Sequence, residues 1–555
     1  MTHNNMLSTG RSIASAAITA SLVAALAGCG VFPTTQNTAT SDTNTSEAKN
    51  QTSQTLTSET AVTDSDGYMA YEYEEGGAML APSDEGYVDF NTEEYDSLEE
   101  QGFISAATRP LSTVSSDVDT ASYCNLRRML RDGWTAEEID SGAVRIEEML
   151  NYFTYDYDTP TGDDLFATTV HVGDCPWNKE TKLVTIGFAT PKESPSIAEK
   201  GSNLVFLIDV SGSMNSSDKL GLLKDAFGEL VSHLDKNDRV SIVTYASGEE
   251  VVLEGARGDE ERKIMRAINR LRADGSTNGE AGLEKAYKVA QDNFIEGGVN
   301  RIVMASDGDL NVGMSSESDL HDYVDKQRET GIYLSVLGFG SGNYKDNKME
   351  TLADHGNGSY HYIDCIEEAE RVLGSKLTAN LVPLADDVKV QVEFNPAQVK
   401  GYRLIGYENR AMADEDFRDD KKDAGDVGPG AQFTVAYEVA LTDSKQEVAQ
   451  TDLKYGQKST GDTNSDEWLS ATVRYKPADG GDVREQNTVV SKKDLVENPG
   501  EDWRFQAAVI EFGMLLRDSE YAGTASYDQI YDLLGNDKLP EEREEFLELV
   551  DMAFE

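Results

Sequence analysis

Leu204-Val205-Phe206-Leu207-Ile208-Asp209-Val210-Ser211-Gly212-Ser213-Met214 decides the fold. Five consecutive apolar residues describe a strand covered on both faces, the habit of strands inside parallel sheets. The run ends in a carboxylate and two hydroxyls at alternating positions, with a glycine that lets the backbone turn. Ligands of open α/β sheets sit where strands end at their carboxyl termini, and Asp209, Ser211 and Ser213 fall at that point.

Reading outward, strand and helix patterns alternate from Asn203 to about Leu373. Helices are expected over Lys219–Leu234, Glu260–Leu271, Gly279–Phe294 and Ser318–Glu329. Strands are expected over Val240–Tyr245, Arg301–Ala305, Tyr333–Phe339 and Ser359–Ile363, with a closing helix after the last. This rhythm predicts an α/β, doubly wound, mostly parallel Rossmann-like sheet. Two more loops leave strand ends or enter helices with oxygen donors. Gly275-Ser276-Thr277-Asn278 offers the Thr277 hydroxyl, and Ser306-Asp307-Gly308 offers the Asp307 carboxylate. Carboxylates and hydroxyls are hard ligands that suit Mg²⁺, Mn²⁺ or Ca²⁺ and do not suit Zn²⁺ or Cu.

Asp209-x-Ser211-x-Ser213 with Thr277 and Asp307 resembles the metal-ion-dependent adhesion site of a von Willebrand factor type A domain, all five positions being present. The resemblance reaches further. Ser115-Ser116-Asp117-Val118-Asp119-Thr120-Ala121-Ser122-Tyr123 and Val144-Arg145-Ile146-Glu147-Glu148-Met149 are similar to the N-terminal segment of a bacterial von Willebrand-type lipoprotein family. Gly406-Tyr407-Glu408-Asn409-Arg410 and Asp419-Asp420-Lys421-Lys422-Asp423-Ala424-Gly425 are similar to that family's C-terminal domain. The resemblance implies Mg²⁺, or Mn²⁺ or Ca²⁺, held by Asp209, Ser211, Ser213, Thr277 and Asp307. It also implies an open coordination position that an acidic side chain of a protein partner fills.

The remaining sequence sets compartment and charge. Ser12–Ala27 is a short apolar stretch after Arg11, closed by Leu26-Ala27-Gly28-Cys29. It reads as a secretory signal over residues 1–28, and its ending resembles the bacterial lipobox, which implies lipidation of Cys29. The expected location is the cell membrane, lipid-anchored on the extracytoplasmic face. Residues 29–105 are expected to be a disordered tether, polar at first and then acidic with interleaved tyrosines. An N-terminal segment over 106–200, the type A domain over 201–375 and a β-rich then helical domain over 376–555 complete the expected division. The type A domain is expected to be an insertion. The strand patterns Leu165–Val172 and Lys182–Ala189 precede it, Val388–Phe394, Gln432–Ala440 and Trp468–Tyr475 follow it, and neither set makes a robust sheet alone.

The 555 residues carry a formal charge of −52, which disfavours any polyanion and excludes non-specific nucleic-acid binding. Mean hydropathy of −0.49 excludes a multi-pass membrane protein. Four cysteines are too few for a disulfide scaffold. Beyond Cys29, the odd number left, Cys124, Cys175 and Cys365, leaves one unpaired absent an intermolecular bond, and a Cys124–Cys175 pair stays open. The sequence has no GxxxxGK[ST], GxSxG or HExxH, so no motif supports catalysis, and a non-enzymatic role is expected. A metal-dependent envelope enzyme or enzyme subunit and a metal-independent scaffold stand as alternatives. Arg257-Gly258-Asp259, the pair His355 and His361, and the acidic run Asp414–Asp420 read as a chance tripeptide, a turn and a solvated loop.

Overall fold

A computed structural model describes residues 91–192, 200–308, 317–449, 458–478, 480–497, 499–535 and 538–554. The predicted signal peptide, Cys29 and most of the predicted tether lie outside these residues.

The central sheet has six strands in the order Tyr360–Ile363, Tyr333–Phe339, Val299–Ser306, Ser202–Asp209, Arg239–Tyr245 and Glu249–Arg257. All neighbours are parallel except the last pair. The antiparallel edge strand Glu249–Arg257 escaped the sequence reading because it is acidic and half exposed, so its apolar alternation is faint. The first strand in chain order sits between Val299–Ser306 and Arg239–Tyr245. The switch of winding direction therefore falls beside Asp209, the place where such sheets bind ligands.

The segments before and after this domain form two five-stranded sheets. One has the order Ile104–Ser105, Val399–Ile405, Gln432–Leu441, Lys182–Ala189, Ala167–Asp174. The other runs Ala411–Met412, Leu111–Ser115, Ala385–Phe394, Glu467–Pro477, Arg484–Ser491. Gln432–Leu441 pairs with Lys182–Ala189 along its length, and Ala385–Phe394 pairs with Leu111–Ser115. Each sheet thus joins strands from both sides of the type A domain, which makes that domain an insertion. Alternation explains the layering. Val184, Ile186 and Phe188 face a core shared with Val390, Val392 and Val473 of the other sheet. Leu183 and Ala189 face the helices instead.

Those helices are Ala121–Arg131, Ile146–Tyr152, Glu501–Leu516, Tyr527–Leu534 and Glu541–Phe554. Phe153, Phe505, Phe512 and Phe546 meet edge to face with centroids 4.7–5.9 Å apart, a favoured aromatic geometry. Tyr157 lies against Gly187, where a Cβ would fall 2.1 Å from the ring. Among the described residues, no helix is long and apolar enough to cross a membrane.

One expectation changes, and one open alternative is decided. Residues 91–105, assigned to the disordered tether, are ordered. Thr92 and Glu94 donate backbone bonds to Gly342 and Tyr344, Asp346 donates back to Glu94, and Glu93 pairs with Arg128 at 2.9 Å. Their acidity reads as solvation in the sequence, but here it is matched by cations from Ala121–Arg131 and from Lys345. The Cys124–Cys175 pairing does not occur, since Cys124, Cys175 and Cys365 are all free thiols.

Candidate metal centre

Asp209 ends its strand fully buried. Its Oδ1 accepts the Ser211 backbone N–H at 2.8 Å, and its Oδ2 accepts the Ser306 hydroxyl at 3.0 Å. The first bond turns the chain so that the Ser211 and Ser213 hydroxyls come within 3.0 Å of each other. Burial pushes the Asp209 carboxyl up to about 6. The bonds from Ser211 pull it down, the charge of Asp307 pushes it up again, and Ser306 lowers it. A carboxylate in that state gains from a cation beside it.

Asp307 follows the neighbouring strand and is also fully buried. Its Oδ2 accepts from Lys219 Nζ at 3.0 Å and from Asn343 Nδ2 at 3.1 Å. The Thr277 loop is tied to the motif by the backbone. Gly212 N–H donates to Gly275 O at 3.0 Å, and Asp274 N–H donates to Val210 O at 2.8 Å. Gly275 has φ +88, and a Cβ there would lie 2.4 Å from Ser247 Oγ, so this turn needs glycine. Thr277 is half buried just before Asn278, which caps helix Gly279–Asp292. Asp209, Ser211, Ser213 and Asp307 therefore stand at the adjoining carboxyl ends of two paired parallel strands, with the Thr277 loop tied alongside. Among the described residues the Thr277 hydroxyl donates to none of the four.

The donor chemistry fits a hard divalent cation: two buried carboxylates and two adjacent hydroxyls, with no sulfur or imidazole. A cation already stands against one of the carboxylates, the Lys219 ammonium. Lys219, Asn343 and Ser306 were not singled out in the sequence. Lys219 reads there as the first residue of a helix, and Asn343 belongs to a loop whose position only the fold sets.

The other motifs settle elsewhere. Arg257 and Asp259 pair with each other on the surface. His355 meets Asp325 at 2.9 Å and stacks on His321, whereas His361 is buried against Thr120 and held by burial at about 3. Asp420 of the acidic run pairs with Arg474 at 2.5 Å, and Arg418 reaches Glu485 at 3.1 Å. These partners, Arg474 and Glu485, come from the strands Glu467–Pro477 and Arg484–Ser491. Among the described residues, Cys124, Asp364 and Glu368 form a tight group of metal-capable side chains. Arg127 and Arg371 already neutralise both of its carboxylates.

Comparison with known proteins follows the same division. Residues 204–309 match the von Willebrand factor type A domain family, residues 89–185 the von Willebrand factor family, and residues 379–555 the C-terminal family of the uncharacterized protein YfbK. The chain is 38% identical to the uncharacterized protein YfbK of Escherichia coli (strain K12) over 472 residues, covering 83% of this chain and 81% of that one. The chain belongs to the YfbK family. This chain thus carries a von Willebrand factor type A domain between a von Willebrand factor segment and the YfbK C-terminal domain. Outside the family, inter-alpha-trypsin inhibitor heavy chain H3 of Mesocricetus auratus is 27% identical over 221 residues, 38% of this chain and 24% of that one. A von Willebrand factor type A structure from Catenulispora acidiphila aligns with 72% of this chain and 91% of its own, at 15% identity and a TM-score of 0.40.

Proposed function

We propose that this YfbK-family protein is a lipid-anchored, extracytoplasmic binding protein that engages a protein partner through a divalent cation. Type A domains commonly mediate protein interactions, and the reading rests on that together with one observation. Two buried carboxylates and a pair of hydroxyls 3.0 Å apart stand at the adjoining ends of two paired strands with no softer ligand. Asp209, Ser211, Ser213 and Asp307 would hold the ion, with Thr277 supplied from the tied loop. When bound, the ion acts as a Lewis acid toward an incoming carboxylate, and Mg²⁺ suits that because it keeps waters that a carboxylate displaces. The chain's own part is to keep these oxygens close together and to hold Asp209 by two hydrogen bonds. We read the protein as a non-enzyme, since no nucleophile–base pair or cofactor motif accompanies the site in the sequence.

The test is crosslinking and capture from intact cells. A partner recovered in Mg²⁺ should be lost in EDTA and regained on adding Mg²⁺ back. Recovery that is indifferent to EDTA favours a metal-independent scaffold and overturns the reading. Turnover on a hydrolase panel favours an enzyme.

Localisation rests on Leu26-Ala27-Gly28-Cys29. Lipid chains at Cys29 would hold the protein by about 0.8 kcal/mol per buried CH₂. Cys29→Ala should release the protein from the membrane fraction or leave its signal uncleaved, as read by fractionation and lipid labelling. A processed, lipid-labelled Cys29→Ala protein would refute the anchor.

A further inference from the structure

Lys219 is a buried charge that touches the candidate metal centre. Its side chain is 7% exposed, a rare state for lysine. Nζ donates to Asp307 Oδ2 at 3.0 Å and to Asn343 Oδ1 at 2.6 Å. Asn343 also donates to that same carboxylate oxygen, so ammonium, amide and carboxylate form a closed triangle.

The fold has built a track for this side chain. Its stem crosses the backbone of Gly340, where a Cβ would fall 2.2 Å from Lys219 Cε, 2.3 Å from Cγ and 2.7 Å from Cδ. Gly340 has φ +78, and its carbonyl accepts the buried Tyr362 hydroxyl at 2.6 Å. Two residues on, Gly342 is held by the ordered N-terminal strap. Its N–H donates to Glu93 Oε1 at 2.8 Å, and its carbonyl accepts from Thr92 N–H at 2.8 Å. The loop that aims Asn343 is therefore fixed on both sides. Ordering a lysine along its whole length costs rotamer freedom, besides its lost hydration. Such a placement is a designed part of the site and not a surface side chain that has folded inward.

We propose that Lys219 is a resident counter-cation that weakens the centre's hold on a divalent ion and gives the loaded centre its preference for an anionic ligand. The proposal rests on the metal-binding reading of the same site. Among the described residues, two carboxylates and one ammonium give the site one negative charge before an ion binds. A divalent ion turns this into one positive charge, which a partner carboxylate cancels. Without the ammonium the loaded site is neutral, and an incoming carboxylate finds less attraction. Lys219 is thus a positioning and charge-setting residue, and it makes ion and acidic ligand bind cooperatively. By linkage, each tightens the other by the same factor.

The experiment titrates Mn²⁺ into the full chain in detergent, with free Mn²⁺ read by electron paramagnetic resonance, in the absence and presence of acetate. Lys219→Met should bind Mn²⁺ about tenfold more tightly or better, because a like charge has left a buried site. Acetate should tighten Mn²⁺ binding in the natural protein and do so markedly less in Lys219→Met. Lys219→Arg keeps the charge and should stay within about threefold of the natural protein in both readings. A folded Lys219→Met that binds Mn²⁺ no more tightly, or that keeps the full acetate effect, overturns the proposal. Lys219→Arg behaving like Lys219→Met does the same. Should Lys219→Met fail to fold, Asn343→Asp decides. It leaves the lysine in its track and sets a negative charge against the ammonium, so unchanged Mn²⁺ affinity refutes the idea. Natural protein that binds no Mn²⁺, like Asp209→Ala, removes the metal reading itself, an outcome distinct from the others.

Discussion

Asp209→Ala is expected to abolish binding of Mg²⁺ and Mn²⁺ while leaving the fold intact. The carboxylate is the charge around which the site is arranged. It accepts from Ser211 N–H and the Ser306 hydroxyl, and it stands beside Asp307. Removing it leaves one carboxylate against the Lys219 ammonium, with no net negative charge for a cation, and frees the Ser211 turn. The structural cost is small by comparison. Two donors lose an acceptor, at about 1–3 kcal/mol each where they stay buried. Against this, a carboxyl that burial has pushed up to about 6 no longer has to be ionised in the interior. Calorimetric titration of both ions, with circular dichroism as the control for folding, checks the prediction. Metal affinity equal to that of the natural protein would show that the ion, if any, is held elsewhere.

The second large effect is expected from Arg145→Met, which should cost about 3–5 kcal/mol of stability at neutral pH. Arg145 is 2% exposed and sits among carboxylates from two parts of the chain. Its Nε donates to Glu148, and its Nη1 donates to Asp346 Oδ2 at 2.6 Å and lies 3.5 Å from Glu350. Methionine fills the volume but leaves Glu148, Asp346 and Glu350 buried against one another. Burial already pushes the Glu148 carboxyl well up and Arg145 pulls it down, so without the guanidinium it rises further. A carboxyl raised above its unfolded value costs stability as pH rises and costs least once it is protonated in both states. The deficit of Arg145→Met should therefore shrink as pH is lowered toward 4.5. Urea unfolding of variant and natural protein at pH 7 and pH 5 measures this. Equal midpoints at pH 7 would mean that the ion pair is dispensable. Asp346 opens the helix Asp346–His355, directly after the loop that carries Asn343, so the same substitution should also loosen the site.

The buried charges make a wider pattern. Arg145, Arg410, Arg127 and Arg517 each tie sequence motifs that lie far apart in the chain. Arg410 reaches Asp119 at 2.8 Å and also Asp354, while Arg517 reaches Glu408 at 2.7 Å and Val144 O at 2.5 Å. Of these, Asp119, Val144, Arg145, Glu408 and Arg410 fall in the stretches Ser115–Tyr123, Val144–Met149 and Gly406–Arg410. Arg145, Arg410 and Arg127 hold the inserted domain against its base through Asp346, Asp354 and Asp364, while Arg517 ties two parts of the base to each other. The physical consequence is that buried ion pairs fix the inserted domain relative to the two sheets.

The sequence by itself determined the α/β class, because a continuous apolar strand ending in Asp209-x-Ser211-x-Ser213 is strong local information. Helix and strand periods carried most of the central sheet, and the shortage of strands on either side of it pointed to an insertion. Three kinds of feature depended on tertiary structure alone. The edge strands Glu249–Arg257 and Arg484–Ser491 are polar on their outer faces, and pairing with a neighbour, not apolar period, makes them strands. The ordered segment after Asn91 is acidic like the sequence before it, and only the cations and backbone groups opposite it distinguish a docked strap from a tether. Lys219 and Asn343 are separated by more than a hundred residues and carry no motif. Their shared contact with the buried Asp307 joins them, and a one-dimensional pattern does not contain the low dielectric that gives such a contact its strength.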